Sequence, residues 1–182
     1  SAYRDVWQRI PFLQYFKNTV LFAGGVTIVS LLLDSMAAYA FARLQFRGRN
    51  TLFVLVLVAL MIPVQVTMIP LFIMLNGFGW VNSWAGLILP RATNAFGIFM
   101  LRQFFIGLPK ELDESARIDG CSEFRIYWNI ILPLAKPALA SLALFHAMYN
   151  WNDLLWPLIM TSNDTLRTLP AGLALFMGQH VV

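Results

Sequence analysis

Two sets of residues in this chain have types and spacings that do chemistry. The first runs Glu114-Ser115-Ala116, then after three residues Asp119's neighbour Gly120, then after nine more Ile130, and after one more Leu132-Pro133. A carboxylate such as Glu114, presented at a protein surface, pairs with a basic group on a partner, so the chemistry on offer is docking. The second set is His146, Tyr149, Asn150 and Asp153, at i, i+3, i+4 and i+7, with Asn152 beside them and Trp151 and Trp156 close by. On one continuous helix these four would share a face. At mid-membrane depth each ionisable group costs about 2.5–3.5 kcal/mol unless it meets water or a partner. Such a stripe either lines a cavity, where polar donors and tryptophan faces suit a hydroxyl-rich solute, or makes the interhelical hydrogen bonds that hold a bundle.

The first set lies in the charged interval 109–136, between two apolar stretches. Its pattern reads as two short helices around a break. Pro109 fits a first helical turn, where a missing N–H costs nothing, and Gly120 fits the left-handed residue that closes a helix. Ser122 is placed to cap the second helix, whose Phe124, Tyr127, Trp128 and Ile131 recur with helical period. A solvated amphipathic loop is the plainer reading of such charges, and Gly120 is equally an ordinary helix end.

Composition decides what must position these groups. The chain has 182 residues, 59% hydrophobic and 12% charged, with mean hydropathy +0.67. That is too apolar for a soluble domain of this size, and it places the chain in a bilayer. The net charge of +4 and pI near 9.6 do not indicate nucleic acid, because long apolar stretches interrupt the basic residues. One cysteine, Cys121, excludes a disulfide within the chain, and no His/Cys cluster has metal-ligand spacing. The opening SAYRDVWQRIPFLQYFKN is too polar for a signal-peptide core and reads as a lead-in to a membrane span.

Spans are expected at residues 19–42, interrupted only by Asp34; 52–75, with Pro63 and Pro70 kinking it; 84–105, weakened by Pro90, Arg91 and Arg102; and 137–161. A shorter apolar segment begins at Leu169. Arg43, Arg47 and Arg49 follow the first span, and Lys110, Arg117, Arg125 and Lys136 lie in the charged interval, whereas residues 76–83 hold no Lys or Arg. By the positive-inside rule both basic loops are cytoplasmic. Four complete spans then leave the lead-in and the loop after Thr161 outside. Asp34 is expected to pair with a polar group on a neighbouring helix, and Arg91 and Arg102 to snorkel to opposite interfaces.

The spacing from Glu114 to Pro133 resembles the EAA loop of the membrane permease subunits of bacterial ABC importers, the carbohydrate-uptake branch in particular. AAYAFAR at 37–43, GLILP at 86–90, FGIF at 96–99, LRQFF at 101–105 and Trp151-Asn152-Asp153 with Trp156-Pro157-Leu158 resemble the same family, so the likeness covers nearly the whole chain. Departures are Ser115 where Ala is usual, Cys121 at a small-residue position and Asp34 at an uncharged one. The resemblance implies an all-α polytopic transmembrane bundle of the type I importer permease kind, a single domain over residues 1–182 that lacks the first family helix and most of the last. It further implies a multi-pass location in the bacterial inner membrane, a second permease subunit, a dimer of ABC ATPases and an extracytoplasmic solute-binding protein, with no cofactor, no metal and no nucleic acid. Glu114, Ser115, Ala116, Asp119, Gly120, Leu132 and Pro133 become the ATPase-coupling residues, and His146, Tyr149, Asn150, Asn152 and Asp153 the candidate translocation path. The solute is expected to be an oligosaccharide or related polyol; an amino acid or phosphate ester is the runner-up.

Other classes make distinct demands. The chain has no G-x-x-x-x-G-K-[ST], so nucleotide would be bound elsewhere, and it has no H-E-x-x-H or G-x-S-x-G. An aspartyl protease of the membrane would need its acids in a glycine-rich break, which neither Asp34 nor Asp153 has. A secondary transporter would need no ATPase, and a structural scaffold would leave the 114–133 spacing unexplained.

Overall fold

A computed structural model describes residues 11–180, with side chains through 178. Among the described residues there are helices and no strands. Helix α1 (Phe12–Arg43) is 32 residues long. It begins before the expected span because Leu13, Tyr15 and Phe16 carry the helix through the polar lead-in; the part of that lead-in over residues 1–10 lies outside the described residues.

Each of the other three expected spans is interrupted. Residues 52–75 form α2 (Arg49–Leu60) and α3 (Val64–Gly77). Pro63 supplies no N–H and disfavours helical geometry at Ile62, so it separates two helices instead of kinking one, whereas Pro70 sits inside α3. Residues 84–105 form α4 (Trp84–Ile88), a 3-10 turn at Leu89–Arg91 with Pro90 in its first turn, and α5 (Ala95–Ile106). Asn94 starts α5 as its cap, its side-chain oxygen accepting from Phe96 N at 2.8 Å. The charged interval holds α6 (Glu111–Ile118) and α7 (Glu123–Leu134), and α7 carries a π-helical segment at Tyr127–Ile131. Residues 137–161 form α8 (Lys136–Trp151) and α9 (Leu155–Met160), and α10 (Leu169–His180) is the final apolar segment.

Among the described residues one helix, α1, is long and apolar enough to cross a membrane by itself; there are up to three such spans if α2 with α3 and α7 with α8 are each counted as one bent span. Large apolar side chains face outward along the apolar helices, among them Ile28 on α1, Leu55 on α2, Ile69 on α3 and Leu144 on α8. An aqueous surface would not carry so many, whereas lipid tails solvate them.

The chain divides into two compact units. One comprises residues 28–63 and 93–145, with Tyr39, Leu101, Phe105, Ile126, Ile131 and Leu142 at its centre. Here Asp34, fully buried, accepts from Thr93 Oγ1 at 2.7 Å and from Asn94 N at 2.9 Å, so the acid is spent on the interruption between α4 and α5. Gly97 lets it come that close, because a Cβ there would overlap Asp34 Oδ2. The other unit comprises, of the described residues, 11–27, 64–92 and 146–180, with Phe22, Val26, Leu87, Trp156 and Met160 packed together. In it the buried Asn18 side chain donates to the carbonyls of Thr165 and Arg167, both at 2.9 Å, and so pins the polar loop before α10.

Candidate functional site

The charged interval folds as the sequence dictates, into a helical hairpin. Lys110 occupies the cap position of α6 without a side-chain capping bond, so Pro109 lies two residues before the first helical residue, Glu111. Asp119 ends the helix, and Gly120 takes φ 80°, with its N–H bonded to Arg117 O at 3.0 Å. Ser122 then caps α7, its hydroxyl oxygen accepting from Arg125 N at 3.3 Å. The helix α6 is two-sided: Asp113 and Ala116 are buried, while Glu114, Ser115, Ile118 and Asp119 are exposed. Ser115 Oγ donates to Leu112 O at 3.1 Å. On α7 the period-four face predicted from Phe124 to Ile131 does not stay together. Tyr127 and Ile131 are buried, but Phe124 and Trp128 stack on each other at 6.2 Å and face outward. The extra residue per turn in the π-helical segment shifts the helical register across 127–131. Leu132 is half-buried and Pro133 exposed.

Three polar contacts fasten this hairpin to α1. Arg43 pairs with Asp113 at 3.2 Å and donates to the carbonyls of Phe105 and Leu108, at 2.8 and 2.7 Å. Tyr39 OH donates to Glu123 Oε2 at 2.7 Å, and Ser35 Oγ shares a hydrogen bond of 2.7 Å with Tyr127 OH. Within the hairpin Arg117 forks onto Glu123 at 2.6 and 3.2 Å, closing α6 against α7. That hydrogen bond holds the Glu123 carboxyl below its ordinary value, burial opposing it and Tyr39 assisting. Burial pushes the Asp113 carboxyl up, with Arg43 and Arg117 working against it.

The second set of residues is not one stripe. His146 and Asn150 are buried, and Asn150 Nδ2 donates back to His146 O at 2.8 Å. Tyr149 is 47% exposed, and Asn152 is exposed with its amide bonded to Met148 O. The helix α8 stops at Trp151, so Asp153 falls in the break and leaves the shared face. It pairs with Arg91 at 2.5 Å and accepts from Trp156 N at 3.4 Å, at the start of α9. Arg91 therefore does not snorkel: its side chain is 13% exposed, with its guanidinium 5.9 Å from the Tyr149 ring centre and 5.6 Å from that of Trp156. Trp156 is buried, and its ring N–H donates to Leu87 O at 3.1 Å, so it has no free face for a solute. Trp151 meets the edge of Phe16 instead. Arg102 lies over Phe53 at 3.9 Å.

Sequence reasoning missed the anchors Ser35, Tyr39, Arg43, Asp113 and Glu123. Arg43 read as a topology signal, and Tyr39 as one more apolar-span residue. Their one sequence cue is a polar group every four residues, 35, 39 and 43, along the end of the first span. Among the described residues no three His, Cys, Asp or Glu side chains converge as a metal would require.

An all-helical fold with lipid-facing apolar helices and a polar hairpin fastened to one of them defines a membrane protein of the all-α class. Over residues 30–178 the chain matches the family described as binding-protein-dependent transport system inner membrane component, and it belongs to that family. It is similar to the arabinooligosaccharides transport system permease protein AraQ of Halalkalibacterium halodurans, 43% identical over 88% of this chain and 57% of that protein. It is also similar to AraQ of Bacillus subtilis, 38% identical over 93% and 60%. The sn-glycerol-3-phosphate transport system permease protein UgpE of Yersinia enterocolitica is 37% identical over 90% and 58%. A crystal structure of a bacterial ABC transporter involved in the import of the acidic polysaccharide alginate superposes with a TM-score of 0.86 and 28% identity, covering 100% of this chain and 63% of that one. The chain thus spans less than two thirds of the length of these relatives.

Proposed function

We propose that the protein is a transmembrane permease subunit of an ATP-driven, binding-protein-dependent importer of sugars. In this reading it crosses the bacterial inner membrane several times, forms half of the translocation path with a second permease subunit, and receives solute from an extracytoplasmic binding protein. The hairpin of α6 and α7 docks on a dimer of ABC ATPases, with Glu114 and Asp119 as charged contacts and Gly120 as the turn. The observation that carries this reading is the hairpin itself: one side is tied to α1 through Arg43, Tyr39 and Ser35, and the other presents Glu114, Ser115 and Ile118 to solvent. Ile118, 85% accessible on α6, and the exposed Phe124 and Trp128 on α7 give the hairpin apolar surface that a protein partner would cover. Because the hairpin is fastened in this way, a push on it acts on α1 through polar and charged bonds.

Relatives named for arabinooligosaccharides and a neighbour named for alginate support a glycan as solute. The relative named for sn-glycerol-3-phosphate supports a phosphate ester as the second reading. The test is co-expression with the neighbouring ATPase and binding protein: the ATPase should co-purify in mild detergent, and a thermal-shift screen of the binding protein should find a sugar. Failure to retain any ATPase would defeat the coupling role, and stabilisation by a phosphate ester alone would establish the second reading.

A further inference from the structure

The unit of residues 28–63 and 93–145 contains a cleft of ≈ 740 Å³ between the end of α1, the loop after it, α5 and α6. This volume lies within the range of ligand sites. Five basic side chains line it, Arg43, Arg49, Arg102, Lys110 and Arg117, against three acidic ones, Asp113, Glu114 and Glu123. Two bases are already neutralised, Arg43 by Asp113 and Arg117 by Glu123. Arg49, Arg102 and Lys110 remain, with Glu114 as the one acid of the lining outside those two pairs.

Arg102 is the informative residue. Its guanidinium is spread over the Phe53 ring, its Nε is buried with no hydrogen-bond partner, and Arg49, a like charge, lines the same cleft. Arg49 uses one N–H on Leu44 O at 3.0 Å and has no carboxylate partner among the described residues. Two guanidinium groups that line one cleft, neither paired with a carboxylate among the described residues, are electrostatically unfavourable. A planar fork of N–H donors matches the oxygens of a phosphate group, and an ammonium adds a point charge at the rim.

We propose that this cleft binds an anionic phosphate group, held by Arg102 and Arg49 with the exposed Lys110 as the outer charge. The phosphate belongs to an anionic lipid headgroup or to a small soluble phosphate, and the two share this recognition chemistry. The site borders the exposed face of the hairpin, with which it shares Glu114, and its recognition chemistry does not depend on which solute is carried.

The test uses the protein as it is extracted, with any subunits that stay with it, after exchange into detergent free of phosphate. In one arm native mass spectrometry follows retention of phosphatidylglycerol against phosphatidylcholine. In the other the melting temperature is followed on adding inorganic phosphate, against chloride at equal ionic strength. Selective retention or phosphate-specific stabilisation is expected, and the responding arm identifies the source. Arg102→Gln and Arg49→Gln should each weaken the response about tenfold. Arg47→Gln removes the same charge from an exposed residue outside the cleft and should leave the response unchanged. Should Arg102→Gln fail to assemble, Lys110→Gln, which removes no contact within the protein, should still weaken binding. No response in either arm, or equal loss in Arg47→Gln, would overturn the proposal.

Discussion

Arg43, the last residue of α1, and Asp113, in the first turn of α6, meet at 3.2 Å with both side chains only 4% exposed. Removing one member of so buried a pair leaves an uncompensated charge and costs about 3–5 kcal/mol. Arg43→Gln also loses charge-assisted bonds to Phe105 and Leu108. It should lower the melting temperature in detergent and weaken retention of the ATPase together, while Arg47→Gln, at an exposed neighbouring position, should do neither. An Arg43→Gln protein that melts and assembles like the parent would show that the hairpin is not held through this pair.

Gly120 takes φ 80°, and a Cβ there meets nothing within 4 Å. Substitution therefore costs backbone strain and no steric clash, about 1–2 kcal/mol for a residue that resists the left-handed region. Gly120→Val should reach normal membrane levels but lose ATPase association and solute uptake, and Glu114→Ala should give a milder loss. Gly120→Asn, which tolerates the left-handed conformation, should behave like the parent. Co-purification and uptake in the same cells would check this; a fully active Gly120→Val would remove the coupling role from the turn.

Glu123 links α6, α7 and α1 through Arg117 and Tyr39. Because its carboxyl is held below the ordinary 4.5, the ionised form favours the folded state. The stabilisation is present above that value and is lost as pH falls through the depressed one. Melting temperature should accordingly be flat in this respect near neutrality and drop on the acid side, and Glu123→Gln should lower the neutral plateau and flatten the acid drop. An unchanged acid limb in Glu123→Gln would assign the drop to other carboxylates.

Asp153 and Arg91 form a pair that is largely sequestered, with side chains 11% and 13% exposed. Asp153→Leu alone should destabilise the protein by up to about 3–5 kcal/mol, and Arg91→Met added to it should recover much of that loss. If uptake returns with stability in the double variant, the pair holds the break between α8 and α9. Persistent loss of uptake in a stable double variant would instead place the pair on the solute path.

Orientation is testable with single cysteines in a Cys121→Ser background. Asn82 is a poor probe because it has φ 56° and bonds both Met160 O and Ser162 N. Asn76 is exposed near the end of α3, and Arg47 is exposed after α1. Charge bias predicts that an impermeant maleimide labels Asn76→Cys in intact cells and Arg47→Cys only after permeabilisation. The opposite pattern would invert the topology.

Local chemistry alone determined the hairpin. Gly120 must take a left-handed turn and Ser122 must cap the second helix, because glycine conformation and hydroxyl capping act within a few residues and need no distant partner. The apolar character of the helices came from composition for the same reason. Only the tertiary structure decided where those helices break and which polar groups meet. Pro63 separates two helices whereas Pro70 does not, although both lie in the same uncharged run. Asp153 left the face it shares in a helical projection because α8 ends at Trp151, and it found Arg91, 62 residues earlier in the chain. Asp34 likewise closes on Thr93 and Asn94 across |i−j| of 59 and 60. Inside a bilayer a charge must find its partner wherever packing brings one, and sequence spacing carries no record of a neighbour that arrives from another helix.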